Sequence, residues 1–75
     1  MKIREIRKNT ISEATALQLA KDFIQRHITS AIIDGYTYRI CGPEITRCPI
    51  GQESRTYIGA DCRIHSAWRH VAYFG

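Results

Sequence analysis

A single stretch with helical periodicity, followed by a change to a strand-like pattern, is the feature that most limits how this chain can fold. Between Ser12 and His27 apolar residues recur at three- and four-residue spacing, polar residues occupy the opposite face, and neither glycine nor proline occurs. This pattern predicts an amphipathic helix that buries one face. Ser12 is a predicted N-cap, and Thr10 with Glu13 three residues later is the alternative start, as a capping box.

The pattern after His27 indicates strands. Asp34-Gly35 separates an apolar stretch, 31–33, from a β-branched and aromatic stretch, 36–40, which is typical of a two-residue hairpin. The alternative is a helix that continues to Ile33 and ends at Gly35. We favour the hairpin, because the residues after Gly35 prefer the pleated conformation.

The residue pattern in the second half of the chain predicts further strands that are separated by turns. Residues 44–48 lie between Pro43 and Pro49, so we expect only a short edge strand there, because proline lacks the donor that a central strand needs. Residues 54–58 form a predicted strand. Residues 62–74 fit either a helical face or a strand, and we favour strand or mixed strand and turn, with Tyr73 and Phe74 in a closing edge strand. Residues 2–6 are a candidate for one more edge strand.

These elements predict a single α+β domain over residues 1–75, in two layers, with one amphipathic helix packed on an antiparallel β-sheet of three to five strands. The sheet face expected to cover the helix carries Tyr38, Ile40, Ile58 and Trp68. A chain of 75 residues can build one small core, which excludes a second domain. A second copy of the chain or a partner is expected to add stability, so a homodimer is one expectation.

The charge of the chain is positive and is carried mainly by arginine. Eleven Lys and Arg residues stand against seven Asp and Glu, and eight of the eleven are Arg. Arginine binds phosphates and carboxylates with two parallel hydrogen bonds. Because aromatic residues lie between the arginines, bases could stack while arginines hold phosphates. The residues proposed to bind the partner are Arg4, Arg7, Lys8, Arg39, Arg55, Arg69, Tyr36 and Tyr57.

The sequence therefore favours a small, non-catalytic binding or regulatory module that engages nucleic acid, or an acidic surface of a nucleic-acid-processing protein. The first alternative is a protein inhibitor or adaptor, such as a phage or mobile-element accessory protein that blocks a larger host complex. Tyrosine, tryptophan and arginine are the residues that dominate such interfaces. Glycine-rich phosphate loops are absent from the sequence, and no cofactor is expected.

The cysteines and histidines suggest a second alternative, a small zinc-binding domain. Thiolates and imidazole are the ligands that zinc prefers, and the set would be Cys41, Cys48, Cys62 and His65. The six residues between Cys41 and Cys48 exceed the spacing of a zinc knuckle. A thiolate or histidine enzyme built on Cys62, His65 or His70 would need pocket walls, for which a chain of this length has few residues. We therefore expect no enzyme.

The location expected from the sequence is the cytoplasm. No run of 18 apolar residues and no secretory leader pattern occurs, so no membrane association is expected. The three cysteines are an odd number, whereas small secreted domains usually carry cysteines in pairs.

Overall fold

The computed structural model describes residues 1–60 and 62–75, and for Tyr57, Ile64 and His65 it describes the backbone. These residues form one helix packed on a five-stranded antiparallel sheet, which confirms the predicted α+β class. In chain order the elements are β1 (Ile3–Ile6), α1 (Glu13–Gln25), β2 (Ala31–Ile33), β3 (Tyr36–Cys41), β4 (Glu44–Pro49), β5 (Thr56–Ile58), β6 (Ile64–Ser66) and β7 (Arg69–Phe74). The main sheet has the order β1-β7-β4-β3-β2, and β5 pairs with β6 in a separate hairpin.

Helix α1 begins at the predicted N-cap. The hydroxyl of Ser12 accepts a hydrogen bond from the backbone N–H of Thr15 at 3.2 Å, which satisfies one of the free donors of the first turn. The helix ends at Gln25, two residues before the predicted end, and His27 has a positive φ of 56° that helical backbone does not allow. Its buried face is Ala16, Leu19, Ala20 and Phe23.

The hairpin between β2 and β3 has the predicted two-residue turn. Asp34 and Gly35 both have positive φ, at 48° and 82°, and Ile33 pairs directly with Tyr36. A turn with two left-handed residues matches the twist of the flanking strands. The alternative of a helix running to Ile33 is therefore wrong.

Strand β4 is central, which corrects the prediction of an edge strand. It pairs with β3 over its whole length and with β7 from Glu44 to Arg47. Pro49 is tolerated because it is the last residue of the strand. The N–H of Ile50 donates to the carbonyl of Gly35, so the nitrogen of Pro49 points to the other side, where β7 has not yet begun.

The C-terminal region is strand and turn, as favoured, but β7 is not the predicted closing edge. It lies between β4 and β1, and Phe74 pairs with Ile3. The N-terminal strand, predicted over residues 2–6, forms that edge as β1. The chain ends are thus held together, and the N–H of Gly75 donates to the carbonyl of Lys2 at 2.9 Å.

The core lies between α1 and one face of the sheet. Tyr38, Ile45 and Val71 are at most 1% exposed there. Ile58 and Trp68, predicted for this face, lie elsewhere. Ile58 is 75% exposed in the β5–β6 hairpin, and Trp68 lies on the opposite face of the sheet.

The opposite face of the sheet is partly covered by the segment between β4 and β7. Thr37 and Cys48 alternate with the core residues of their strands, and both are buried beneath this segment. The indole of Trp68 donates to the carbonyl of Glu53 at 2.8 Å, and the hydroxyl of Thr37 donates to the carboxylate of Glu53 at 2.9 Å. These contacts fix the segment that also supplies one wall of the site described next.

Candidate functional site

An open cleft of about 720 Å³ is lined by strand and loop residues, and by none of α1. Its floor is the start of β3 and the end of β4. Its walls are the loop after β1, the segment after β4 and the start of β7. The lining residues are Arg7, Lys8, Asn9, Thr10, Tyr36, Arg47, Pro49, Gln52, Arg55, Ala67, Arg69 and His70. Three separate segments of the chain therefore contribute to its walls.

The charged side chains that line the cleft are all basic. Five are Lys or Arg, and no Asp or Glu among the described residues lines the cleft. The whole chain has 11 Lys and Arg against 7 Asp and Glu, so five of the eleven basic residues lie in this one cleft. The cleft therefore concentrates a large part of the positive charge of the protein.

The floor of the cleft is built around Arg47. Its guanidinium carbon lies 4.0 Å from the centroid of the Tyr36 ring, and its Nη1 donates to the hydroxyl of Tyr38 at 3.1 Å. The register of β3 and β4 explains this contact, because Tyr38 pairs with Arg47 and Tyr36 pairs with Pro49 on the same face. Since Tyr38 is 1% exposed, Arg47 is held by a rigid part of the core.

Arg69 lies beside Arg47 on the neighbouring strand. The two residues are directly paired across β4 and β7. Like charges in directly opposite positions of a sheet destabilise it. Nη1 of Arg69 donates to the carbonyls of Ser66 at 2.7 Å and Trp68 at 3.3 Å, which positions its side chain on the wall of the cleft.

The loop after β4 is ordered by Glu53. Its carboxylate accepts hydrogen bonds from the hydroxyl of Thr37 and, at 3.0 Å, from the N–H of Gly51. Hydrogen bonds from backbone N–H groups and from the Thr37 hydroxyl lower the pKa of Glu53. The N–H of Arg55 donates to the carbonyl of Gln52 at 3.1 Å, so the loop carries both residues to the rim of the cleft.

The cleft brings together five of the eight residues predicted to bind a partner: Arg7, Lys8, Tyr36, Arg55 and Arg69. Arg4 lies away from it, in a smaller cavity of about 340 Å³ with Glu5 and Tyr73. Arg39 lies on the opposite face of the sheet, with its guanidinium carbon 4.6 Å from the centroid of the Trp68 ring. The side chain of Tyr57 is outside the described residues.

Arg47 was missing from the predicted set, although the sequence contains a signal for it. Gly42-Pro43 joins β3 to β4 as a two-residue turn, and Cys41 pairs with Glu44. Counting outward from that turn places Arg47 opposite Tyr38 and next to Tyr36 on one face of the sheet. The hairpin register alone would therefore have identified this contact.

The proposed zinc ligands are not brought together in the part of the chain that the structure describes. Cys41 and Cys48 lie at opposite ends of the β3–β4 hairpin. Cys48 pairs with Thr37, four residues and about 13 Å along the strand from Cys41. Cys62 is exposed, and the side chain of His65 is outside the described residues. No group of three His, Cys, Asp or Glu among the described residues could hold a metal ion.

His70, considered as a catalytic base, contacts two carboxylates. Its Nδ1 lies 2.8 Å from Oε2 of Glu44, and its Nε2 lies 3.3 Å from Oε1 of Glu5. Tyr73 packs against the imidazole, with ring centroids 4.4 Å apart. Glu5, Glu44 and His70 belong to three neighbouring strands, so these contacts join β1, β4 and β7.

Comparison of the chain with protein-family models, with characterised proteins and with solved structures gave no match in any of the three. Among the described residues, no helix has both the length and the apolar character needed to cross a membrane. The basic cleft is therefore the feature of the molecule that bears on function.

Proposed function

We propose that this protein is a non-catalytic module that binds nucleic acid through the basic cleft. The observation that carries the proposal is the clustering of five Lys and Arg side chains in one concave surface, which no carboxylate of the described residues lines. Phosphate groups are the anions that supply most of the affinity for such surfaces. A volume of about 720 Å³ lies within the range of ligand sites, which is about 300–1,000 Å³.

The lack of neutralising partners supports this proposal. Within the described part of the chain, Arg7, Lys8 and Arg55 form no ion pair with a carboxylate. Uncompensated like charges repel one another, and this repulsion costs stability in the absence of a ligand. An anionic ligand would remove that cost, whereas an apolar ligand would not.

The test is binding of fluorescently labelled DNA and RNA strands at about 50 mM and about 200 mM salt. We expect affinity to fall steeply between the two salt concentrations, because each phosphate contact releases a bound counterion. The variant with Arg7→Glu and Arg55→Glu should lose binding. The control with Lys2→Glu and Lys21→Glu changes the net charge equally outside the cleft and should keep most of the affinity.

Two results would refute the proposal. One is the absence of binding to any strand at the lower salt concentration. The other is an equal loss of affinity in the cleft variant and in the control, because a general attraction between a positive protein and a polyanion would then explain the binding.

A protein inhibitor or adaptor is the second candidate function, and the outer strand of the sheet favours it. Strand β2 is an edge strand of three residues, and Ile32 on it is 66% exposed. Exposed apolar residues on a free strand edge are common in protein interfaces. A partner that is captured after nuclease treatment and lost in the Ile32→Lys variant would support this candidate. A partner that is lost on nuclease treatment would support the cleft.

A further inference from the structure

The cleft contains an ordered contact between an arginine and an aromatic ring in addition to its positive charge. We call this contact the Arg47–Tyr36 stack, because the Arg47 guanidinium carbon lies 4.0 Å from the centroid of the Tyr36 ring and both side chains line the cleft. Its orientation is set by the hydrogen bond from Arg47 to the buried hydroxyl of Tyr38. A side chain that is already ordered loses little conformational entropy when a ligand binds.

Arg47 keeps most of its binding capacity in this arrangement. A guanidinium has five N–H donors, and among the described residues Arg47 makes one hydrogen bond, to Tyr38. Guanidinium planes and aromatic rings are the surfaces on which unpaired bases stack in protein complexes. The rim cations Arg7, Lys8 and Arg55 differ from Arg47, since they are exposed and suited to phosphates rather than to base faces.

We infer that the cleft takes a single-stranded nucleic acid, with one base stacked on the Arg47–Tyr36 stack and the flanking phosphates held by Arg7, Lys8 and Arg55. This inference rests on the proposed function and makes it specific. In a duplex both faces of each base are covered by neighbouring bases, so a duplex would reach only the rim cations. A single strand can turn one base into the cleft without that cost.

The test uses three labelled probes with equal numbers of phosphates: a thymidine strand of about 12 nucleotides, an abasic strand of the same length, and a duplex. We expect the thymidine strand to bind at least about fivefold more tightly than the abasic strand, which corresponds to the lower end of measured stacking contributions. The duplex should bind less tightly than the thymidine strand. Equal binding of the thymidine and abasic strands to the wild-type protein would overturn the inference.

The Arg47→Lys variant separates stacking from charge. Lysine keeps the positive charge and loses the planar group, so the preference for the thymidine strand over the abasic strand should disappear while the salt dependence stays the same. Arg55→Lys is the matched control on the rim and should keep the preference. A preference that persists in Arg47→Lys overturns the inference. If that variant does not fold, the wild-type comparison of thymidine and abasic strands decides the question.

The failure of this inference can be distinguished from the failure of the proposed function. If all three probes bind equally and weaken with salt, the cleft binds phosphates but not a base, and only the inference fails. If no probe binds, both fail. A polyglutamate chain that competes as well as the thymidine strand also overturns the inference, because it would show that an acidic protein surface is an equivalent ligand.

Discussion

Truncation of Ile45 to alanine tests the position of the core most directly. Ile45 is 0% exposed and lies in the central strand β4, between Ile40 of β3 and Ala72 of β7. The substitution removes three carbons, each of which contributes about 0.8 kcal/mol when buried, so the transfer of apolar surface alone accounts for about 2.4 kcal/mol. The cavity left behind adds to this loss, and measured Ile→Ala costs are about 2–5 kcal/mol.

The matched control is Ile58→Ala. Ile58 was predicted for the same core but is 75% exposed, so its truncation should change the free energy of unfolding by less than about 0.5 kcal/mol. A domain of this size has a total stability of about 4–11 kcal/mol, so the loss in Ile45→Ala is a large part of it.

The measurement is urea unfolding of both variants followed by circular dichroism. Ile45→Ala should shift the midpoint strongly to lower urea, with an unchanged slope if the native and denatured states keep their compactness. Equal losses in the free energy of unfolding of the two variants would refute the reasoning. A loss below about 1 kcal/mol in Ile45→Ala would also refute it, because truncation of a filled core site costs more than that.

Two further predictions concern ionisable groups on the face of the sheet opposite α1. The pKa of Glu53 is lowered in the folded state from its usual 4.5, so its contribution is present above that value and is lost as pH falls through the folded pKa. Urea midpoints should therefore fall at acid pH, and less steeply in Glu53→Gln; equal pH profiles would contradict this. Burial, with the nearby charge of Glu53, raises the pKa of the Cys48 thiol, so a thiol reagent should label exposed Cys41 and Cys62 rapidly and Cys48 only on unfolding. Equal labelling rates of the three thiols would show that Cys48 is not protected.

The elements that could be predicted from the sequence are those defined by local patterns. The N-cap at Ser12 and the turn at Asp34-Gly35 each depend on a few adjacent residues, and both were confirmed. Strand order is not local. Pro49 lacks only its own N–H donor. Whether this costs a hydrogen bond depends on whether a strand lies opposite Pro49, and that depends on where β7 begins. The local rule therefore placed β4 at the edge when the fold places it at the centre.

The candidate site was predictable in its chemistry and not in its location. The arginines that lie between aromatic residues in the sequence indicated that arginine and tyrosine side chains would line the site. The register of the β3–β4 hairpin could have added Arg47 to the predicted residues. The cleft itself requires three loops to meet: residues 7–10, the loop after β4 and the residues that enter β7. Their meeting depends on the pairing of β1 and β4 with opposite sides of β7, which no local pattern indicates.

A ligand bound in the cleft would also affect the stability of the fold. Five basic side chains line one concave surface of a small domain, in which a change of a few kcal/mol is a large part of the total stability. A ligand that binds only the folded state stabilises it in proportion to the logarithm of its concentration relative to Kd. Relief of the repulsion between these cations would contribute to the binding free energy of a polyanion, and through Kd to this stabilisation. The free protein should therefore gain more stability from a bound strand than the contacts with Arg47 alone would supply.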